Sequence, residues 1–166
     1  MLFTNKPKTH SLLAVCDGRC LPLADMSDEV FASGMLGVGV AIEPTGNTFF
    51  SPVSGRVDNV TATGHAYTIC TEDGLDVLVH IGVDTVGLRG EGFHPAVSAG
   101  QHLHAGDRLL DADIDLIRSR GYAATTAVIV TTPDRMGAVD FRYGEISGGR
   151  DVVMTYAASG KESRHD

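Results

Sequence analysis

The sequence is short of long apolar runs, of cysteine and of basic residues, and each shortage excludes a class of protein. Over 166 residues, no stretch reaches the roughly 20 apolar residues that cross a bilayer. Met1–His10 carries lysines, a proline and polar side chains where a secretory leader would need an apolar core. The expected location is the cytoplasm. Met1-Leu2-Phe3 buries too little, at about 0.8 kcal/mol per CH2, to anchor the chain to a membrane. Of the 3 cysteines, Cys16 and Cys20 form a Cys-x3-Cys pair. A zinc site needs about four ligands, and no second Cys/His pair stands at matching spacing, so these thiols are expected to be reduced and partly buried. Lysine and arginine total 13 against 21 aspartates and glutamates, a net charge of −8. Nucleic acid and anionic lipid repel such a chain, so the expected partners are proteins with basic faces.

What remains is ordinary globular composition, 43% apolar and 20% charged, in a length that suits one domain. That domain is expected over 11–158, between flexible tails at 1–10 and 159–166. Glycine, 20 residues in all, punctuates short apolar runs at Leu12–Val15, Gly37–Ile42, Gly55–Val60, Ala66–Ile69, Leu75–Ile81, Arg108–Leu110 and Val128–Thr131. Such runs, rich in Val, Ile, Leu and Thr, predict an all-β fold, an antiparallel sandwich or distorted barrel. Turn residues separate them at 43–47, 51–55, 72–74 and 105–107. The exception is Asp113–Arg120, where Ile114, Leu116 and Ile117 recur among charges and Gly121 stands at a C-cap position, predicting one or two helical turns.

The sharpest chemical signal is a pair of histidines. His65–Cys70 and Leu75–His80 are two strand-like runs joined by Thr71-Glu72-Asp73-Gly74. A turn closed symmetrically about Glu72 and Asp73 places His65 directly opposite His80, with Cβ atoms about 4.5–5.5 Å apart. A slip of one residue would send one ring to the other face. A neutral imidazole is a good nucleophile towards phosphorus, and its pKa lies near working pH. A second imidazole can donate to the oxygens of a transferring phosphoryl group. Two imidazoles are also half of a metal site, and either ring alone is as easily a packed strand residue.

The residues around the pair resemble a known family. Thr63-Gly64-His65-Ala66-Tyr67 and Val79-His80-Ile81-Gly82-Val83-Asp84-Thr85-Val86 are similar to the two histidine motifs of the glucose-family IIA domains of the bacterial sugar phosphotransferase system. The likeness runs from about Leu12 to about Ala157, through Asp28–Ala32, Gly39–Gly46, Ser51–Gly55, Leu88–Phe93, Ala99–Gln101 and Ala105–Asp107. It implies a phosphocarrier, a phosphotransferase component, in which His80 accepts the phosphoryl group and His65 assists. Thr63 would hold the far nitrogen of His65, and the Gly82 carbonyl that of His80. Asp28 and Asp84 would rim the site, inside an exposed apolar collar of Val30, Phe31, Met35, Leu36, Tyr67 and Val86 for docking a partner. The implied donor is the phosphohistidine carrier HPr. The acceptor is a cysteine on the IIB domain of a glucose, N-acetylglucosamine or β-glucoside permease, which would bring the chain transiently to the inner membrane face. No cofactor is required; zinc at His65 and His80 would be adventitious or regulatory. Ser27, Glu43 and Ala127 depart from the family pattern, at positions where proline, lysine and proline are usual, and none is expected to touch the histidines. Two other readings stand beside this one: a regulatory module that is phosphorylated but relays nothing, and a zinc peptidase using His102-Leu103-His104.

Overall fold

The computed structural model describes residues 9–158, and the tails expected at 1–8 and 159–166 lie outside the described residues. Strands run as β1 (Thr9–Leu13), β2 (Gly18–Pro22), β3 (Val38–Pro44), β4 (Thr48–Phe50), β5 (Gly55–Val60), β6 (Ala66–Cys70), β7 (Asp76–His80), β8 (Phe93–Pro95), β9 (His102–Leu103), β10 (Arg108–Ala112), β11 (Thr126–Val130), β12 (Met136–Phe141), β13 (Gly144–Ile146) and β14 (Val152–Ala158). Two short helices join them, α1 (Glu29–Ala32) and α2 (Ile114–Ser119). Each is capped by an aspartate: Asp28 accepts from the Val30 and Phe31 amides, and Asp113 from the Leu116 amide. Asx capping of this kind satisfies first-turn donors that have no partner inside the helix. Among the described residues no helix is long and apolar enough to cross a membrane.

All strand pairs are antiparallel. An eight-stranded sheet in the order β13-β2-β3-β11-β7-β6-β5-β9 packs with two three-stranded sheets, β4-β10-β8 and β1-β14-β12. The large sheet stays open, so the all-β antiparallel expectation holds in its sandwich form and no barrel closes. The expected tail over 1–10 extends two residues too far, because Thr9 and His10 pair with Ala157 and Tyr156. His10 also stacks on Tyr156, with ring centroids 5.1 Å apart.

The large sheet carries apolar side chains on both faces. One face, with Val40, Ile42, Tyr67, Ile69, Val77, Val79, Val128 and Val130, belongs to the main core. The other face packs Ala41, Ala127 and Ile129 under Leu23, Met26 and Phe31, with Leu78 alongside. β11 is buried at every position, which is why its sequence reads as a continuous apolar run without alternation. The segment between β2 and β3 therefore covers the second face and carries α1 towards the end of β7. Cys16 and Cys20 are free and buried, and burial pushes both thiols up, Cys20 to about 11.

Candidate functional site

His80 ends β7, with Ala66 across the ladder on one side and Ala127 on the other. Directly opposed residues share a face, so two methyl side chains leave space for the imidazole, which is half-buried. Its Nδ1 lies 2.8 Å from the carbonyl oxygen of Gly82. A carbonyl only accepts, so Nδ1 carries the proton and Nε2 holds the free lone pair. Gly82 sits at φ +77, and a Cβ there would strike Thr85 Cγ2 and approach the Ala123 carbonyl oxygen to 2.9 Å. Only glycine fits that bend.

His65 precedes β6 and is buried. Its Nδ1 is 2.6 Å from Thr63 Oγ1 and 3.3 Å from Thr61 Oγ1. Thr61 also accepts from the Ala66 amide, at 3.1 Å. The two imidazoles meet edge to face, centroids 5.1 Å apart and planes at 80°. Phe31 lies against His80 at 5.0 Å, and Phe93 flanks His65 at 6.4 Å. Burial pushes the pKa of each histidine below the ordinary imidazole range. For His65 the neighbouring His80 adds to the effect. For His80 the Gly82 carbonyl and the charges of Asp28 and Asp84 oppose it without reversing it.

The route by which the rings meet differs from the expected one. β6 and β7 pair Ala66 with His80 and Cys70 with Asp76, one residue out of the register that opposes His65 and His80. A five-residue connection causes the shift: the Thr71 amide donates to the Leu75 carbonyl at 2.9 Å, and the Leu75 amide donates to Thr71 Oγ1 at 2.9 Å. His65 instead faces Ile81, whose amide donates to the His65 carbonyl at 2.8 Å. The rings still converge because His65 lies outside regular alternation, following Gly64 at φ +72.

The expected collar divides. Val30, Met35 and Val86 are exposed at 48%, 76% and 57%, and Leu36 is half-buried. Tyr67 is 0% exposed; it faces Val79 on the core side of β6, so it is core and presents nothing to a partner. Phe31, at 8%, is turned inwards onto His80. Asp84 is exposed, and Asp28 is half-buried as the α1 cap. Of the departures, Glu43 holds Arg118 at 2.7 Å and Thr125 at 2.8 Å, and Ser27 is exposed. Ala127, expected to lie away from the histidines, is the cross-strand neighbour of His80. Thr61, Phe93 and Thr85 are site residues that sequence reasoning missed; the Thr61-Ala62-Thr63-Gly64-His65 alternation was the available signal for the first.

His102 and His104 are both exposed. They line a groove of about 850 Å³ with His10, Arg56, Cys70 and Asp73, at the turn end of the β6–β7 hairpin and away from His80. Among the described residues no three His, Cys, Asp or Glu side chains cluster as metal ligands, so the peptidase reading lacks its donor set.

Fold and site together define an open antiparallel β domain that presents two converging imidazoles, one with a fixed tautomer, on an apolar-rimmed surface. The chain belongs to the EIIA 1 family of the phosphoenolpyruvate-dependent sugar phosphotransferase system, whose model matches residues 10–136. It is 39% identical to the glucose-specific EIIA component of Mycoplasma capricolum, over 92% of this chain and 97% of that one. It is 45% identical to the glucose-specific EIICBA component of Streptococcus pneumoniae, over 81% of this chain. The chain spans only 18% of the length of that fused relative. The solved structure of the glucose permease IIA from Mycoplasma capricolum superimposes with a TM-score of 0.86, at 37% identity, over 93% of this chain and 99% of that one.

Proposed function

We propose that the chain is a phosphocarrier, a phosphotransferase component that takes a phosphoryl group from phospho-HPr onto His80 Nε2 and gives it to a cysteine of a permease IIB domain. The observation that carries this reading is the Nδ1 contact to the Gly82 carbonyl, which leaves one unprotonated nitrogen beside a second imidazole. In acceptance, the Nε2 lone pair forms a P–N bond while the P–N bond to the donor histidine breaks and its electron pair returns to that ring. In donation, a cysteine thiolate forms a P–S bond and the P–N bond to His80 breaks. The oxygens of the moving group carry the charge, so a donor aimed at them lowers the barrier. His65 with Nε2–H supplies one when the Thr63 hydroxyl donates to its Nδ1.

Relatives that join this kind of domain to B and C components in one chain support a IIB partner. HPr as donor rests on the family's chemistry. Burial lowers the proton affinity of both rings, which keeps them neutral and nucleophilic at working pH. Val30, Met35 and Val86 form the docking rim, with Asp28 and Asp84 offering charge to basic side chains of the partner. The carrier works without a bound cofactor, in the cytoplasm and transiently at the inner membrane face. Regulation of other proteins by the phosphorylation state of His80 is compatible with the same rim.

Incubation with phosphoenolpyruvate, enzyme I and HPr, followed by intact-mass measurement and transfer to a panel of glucose, N-acetylglucosamine and β-glucoside IIB domains, tests the reading. The expected adduct is acid-labile and base-stable. An acid-stable adduct on serine or threonine overturns it.

A further inference from the structure

The proton position on His80 depends on one carbonyl, and the backbone that aims this carbonyl has its own support. After β7 the chain enters Ile81, which is fully buried. The Ile81 amide donates to the His65 carbonyl at 2.8 Å, and the Ile81 carbonyl accepts from Thr85 Oγ1 at 2.5 Å. Both sides of residue 81 are therefore tied, one of them to the other histidine. The next unit is tied as well, since the Val83 amide donates to the Ala123 carbonyl at 3.0 Å.

Among the described residues four polar side chains are buried, and Thr85, 0% exposed, is one of them. Its two branches do different things. The hydroxyl fixes the Ile81 carbonyl and with it the plane of the Ile81–Gly82 peptide. The methyl occupies the space that a Cβ on residue 82 would need, closing that side of the bend. With the Ile81–Gly82 plane held by Thr85, the Gly82–Val83 plane held through the Val83 amide and Gly82 between them at φ +77, the Gly82 carbonyl turns back onto His80 Nδ1. The residue before Thr85, Asp84, holds a left-handed backbone at φ 59. Non-glycine residues adopt that region uncommonly, and it persists where surroundings over-determine it.

We infer that Thr85 is a positioning residue for phosphoryl acceptance: by holding the Ile81–Gly82 peptide it keeps His80 in the tautomer that leaves Nε2 free. The inference rests on the carrier reading, but its first readout does not. A threonine that merely filled the core would matter to stability and leave the imidazole proton where it is.

The test uses Thr85→Val, which keeps the branched shape and removes the hydroxyl, and Thr85→Ser, which keeps the hydroxyl and removes the methyl. Thr85→Ala replaces the valine variant if that one does not fold. Nitrogen-15 spectra of the unphosphorylated proteins above the imidazole titration range report which His80 nitrogen is protonated. Phosphorylation rates with phospho-HPr and urea midpoints are measured alongside. The wild-type and serine proteins are expected to show one tautomer, with Nδ1 protonated. The valine or alanine protein should show mixed tautomers and a maximal rate reduced by about 10- to 100-fold, the scale of a small misplacement at a reacting centre, with KM for HPr unchanged. A hydroxyl-free variant that keeps the Nδ1–H tautomer and the wild-type rate, whatever its urea midpoint, overturns the inference. If the wild-type chain accepts nothing from HPr, the carrier reading fails, and the tautomer spectra still decide the role of Thr85.

Discussion

His80 closes a regular strand between two alanines, and its Nδ1 faces a backbone carbonyl. His65 stands just ahead of its strand, after a left-handed glycine, and its Nδ1 faces a hydroxyl. A carbonyl can only accept, so it dictates where the imidazole proton sits, whereas a hydroxyl can donate or accept and lets the proton relocate. Two rings 5.1 Å apart thus receive unequal freedom from their supports. The fixed ring suits the nucleophile, which needs one nitrogen always free. The adaptable ring suits an assistant that donates to phosphoryl oxygens in one step and adjusts its proton in the next.

The largest expected effect is at the fixed ring. His80→Gln should gain no phosphoryl mass from phospho-HPr, and circular dichroism should show the fold retained, because the ring is only half-buried. His65→Gln retains an amide donor and should still be phosphorylated. Its onward transfer to a IIB cysteine should fall by about 10²–10⁴-fold, the scale of a lost general acid–base group, because a neutral amide cannot take up or give a proton as an imidazole does. Equal loss of acceptance in both variants would erase the distinction between the rings.

A smaller effect sharpens the comparison from behind. Phe31 covers His80 at 5.0 Å, and no ring pairing of Phe31 with His65 is present among the described residues. Phe31→Ala should therefore raise the His80 pKa towards the ordinary imidazole range and leave that of His65 nearly where it is, as followed by NMR titration of both rings. The smallest effect is on stability. Both pKa values lie below the unfolded value of about 6.5, so the unfolded chain binds protons that the native rings refuse. The contribution of these neutral rings is complete above that pH and is lost as pH falls through it towards the lower folded values. The urea midpoint should be lower at about pH 5.5 than at about pH 7.5, and His80→Gln should narrow the difference.

Much of this was legible in the chain because it is carried by local chemistry. Gly55–Val60 is β5 residue for residue, and Asp113 with Gly121 bounds α2 as a cap and a left-handed stop. Thr63 and Gly82 were readable from motif resemblance, and both lie against the nitrogens named for them. What failed was parity. The hairpin register depends on how Thr71 closes its loop, a side-chain hydrogen bond that turn composition does not announce. The motif resemblance puts Tyr67 on the surface, whereas alternation from Ile69 puts it in the core. Phe31 faces inwards because its ring packs with Ala41, Ala127 and Ile129 on the second face of the sheet, a tertiary fact that a four-residue helix cannot signal. Ala127 is a site residue because β11 lies beside β7, a long-range pairing that local sequence does not announce.

The most direct measurement locates the phosphoryl group by atom. Protein labelled with nitrogen-15 in its histidines, phosphorylated by phospho-HPr, should show phosphorus–nitrogen coupling to Nε2 of His80, with Nδ1 of the same ring still protonated. Coupling to Nδ1 of His80, or to either nitrogen of His65, would contradict the assignment of the fixed ring as carrier.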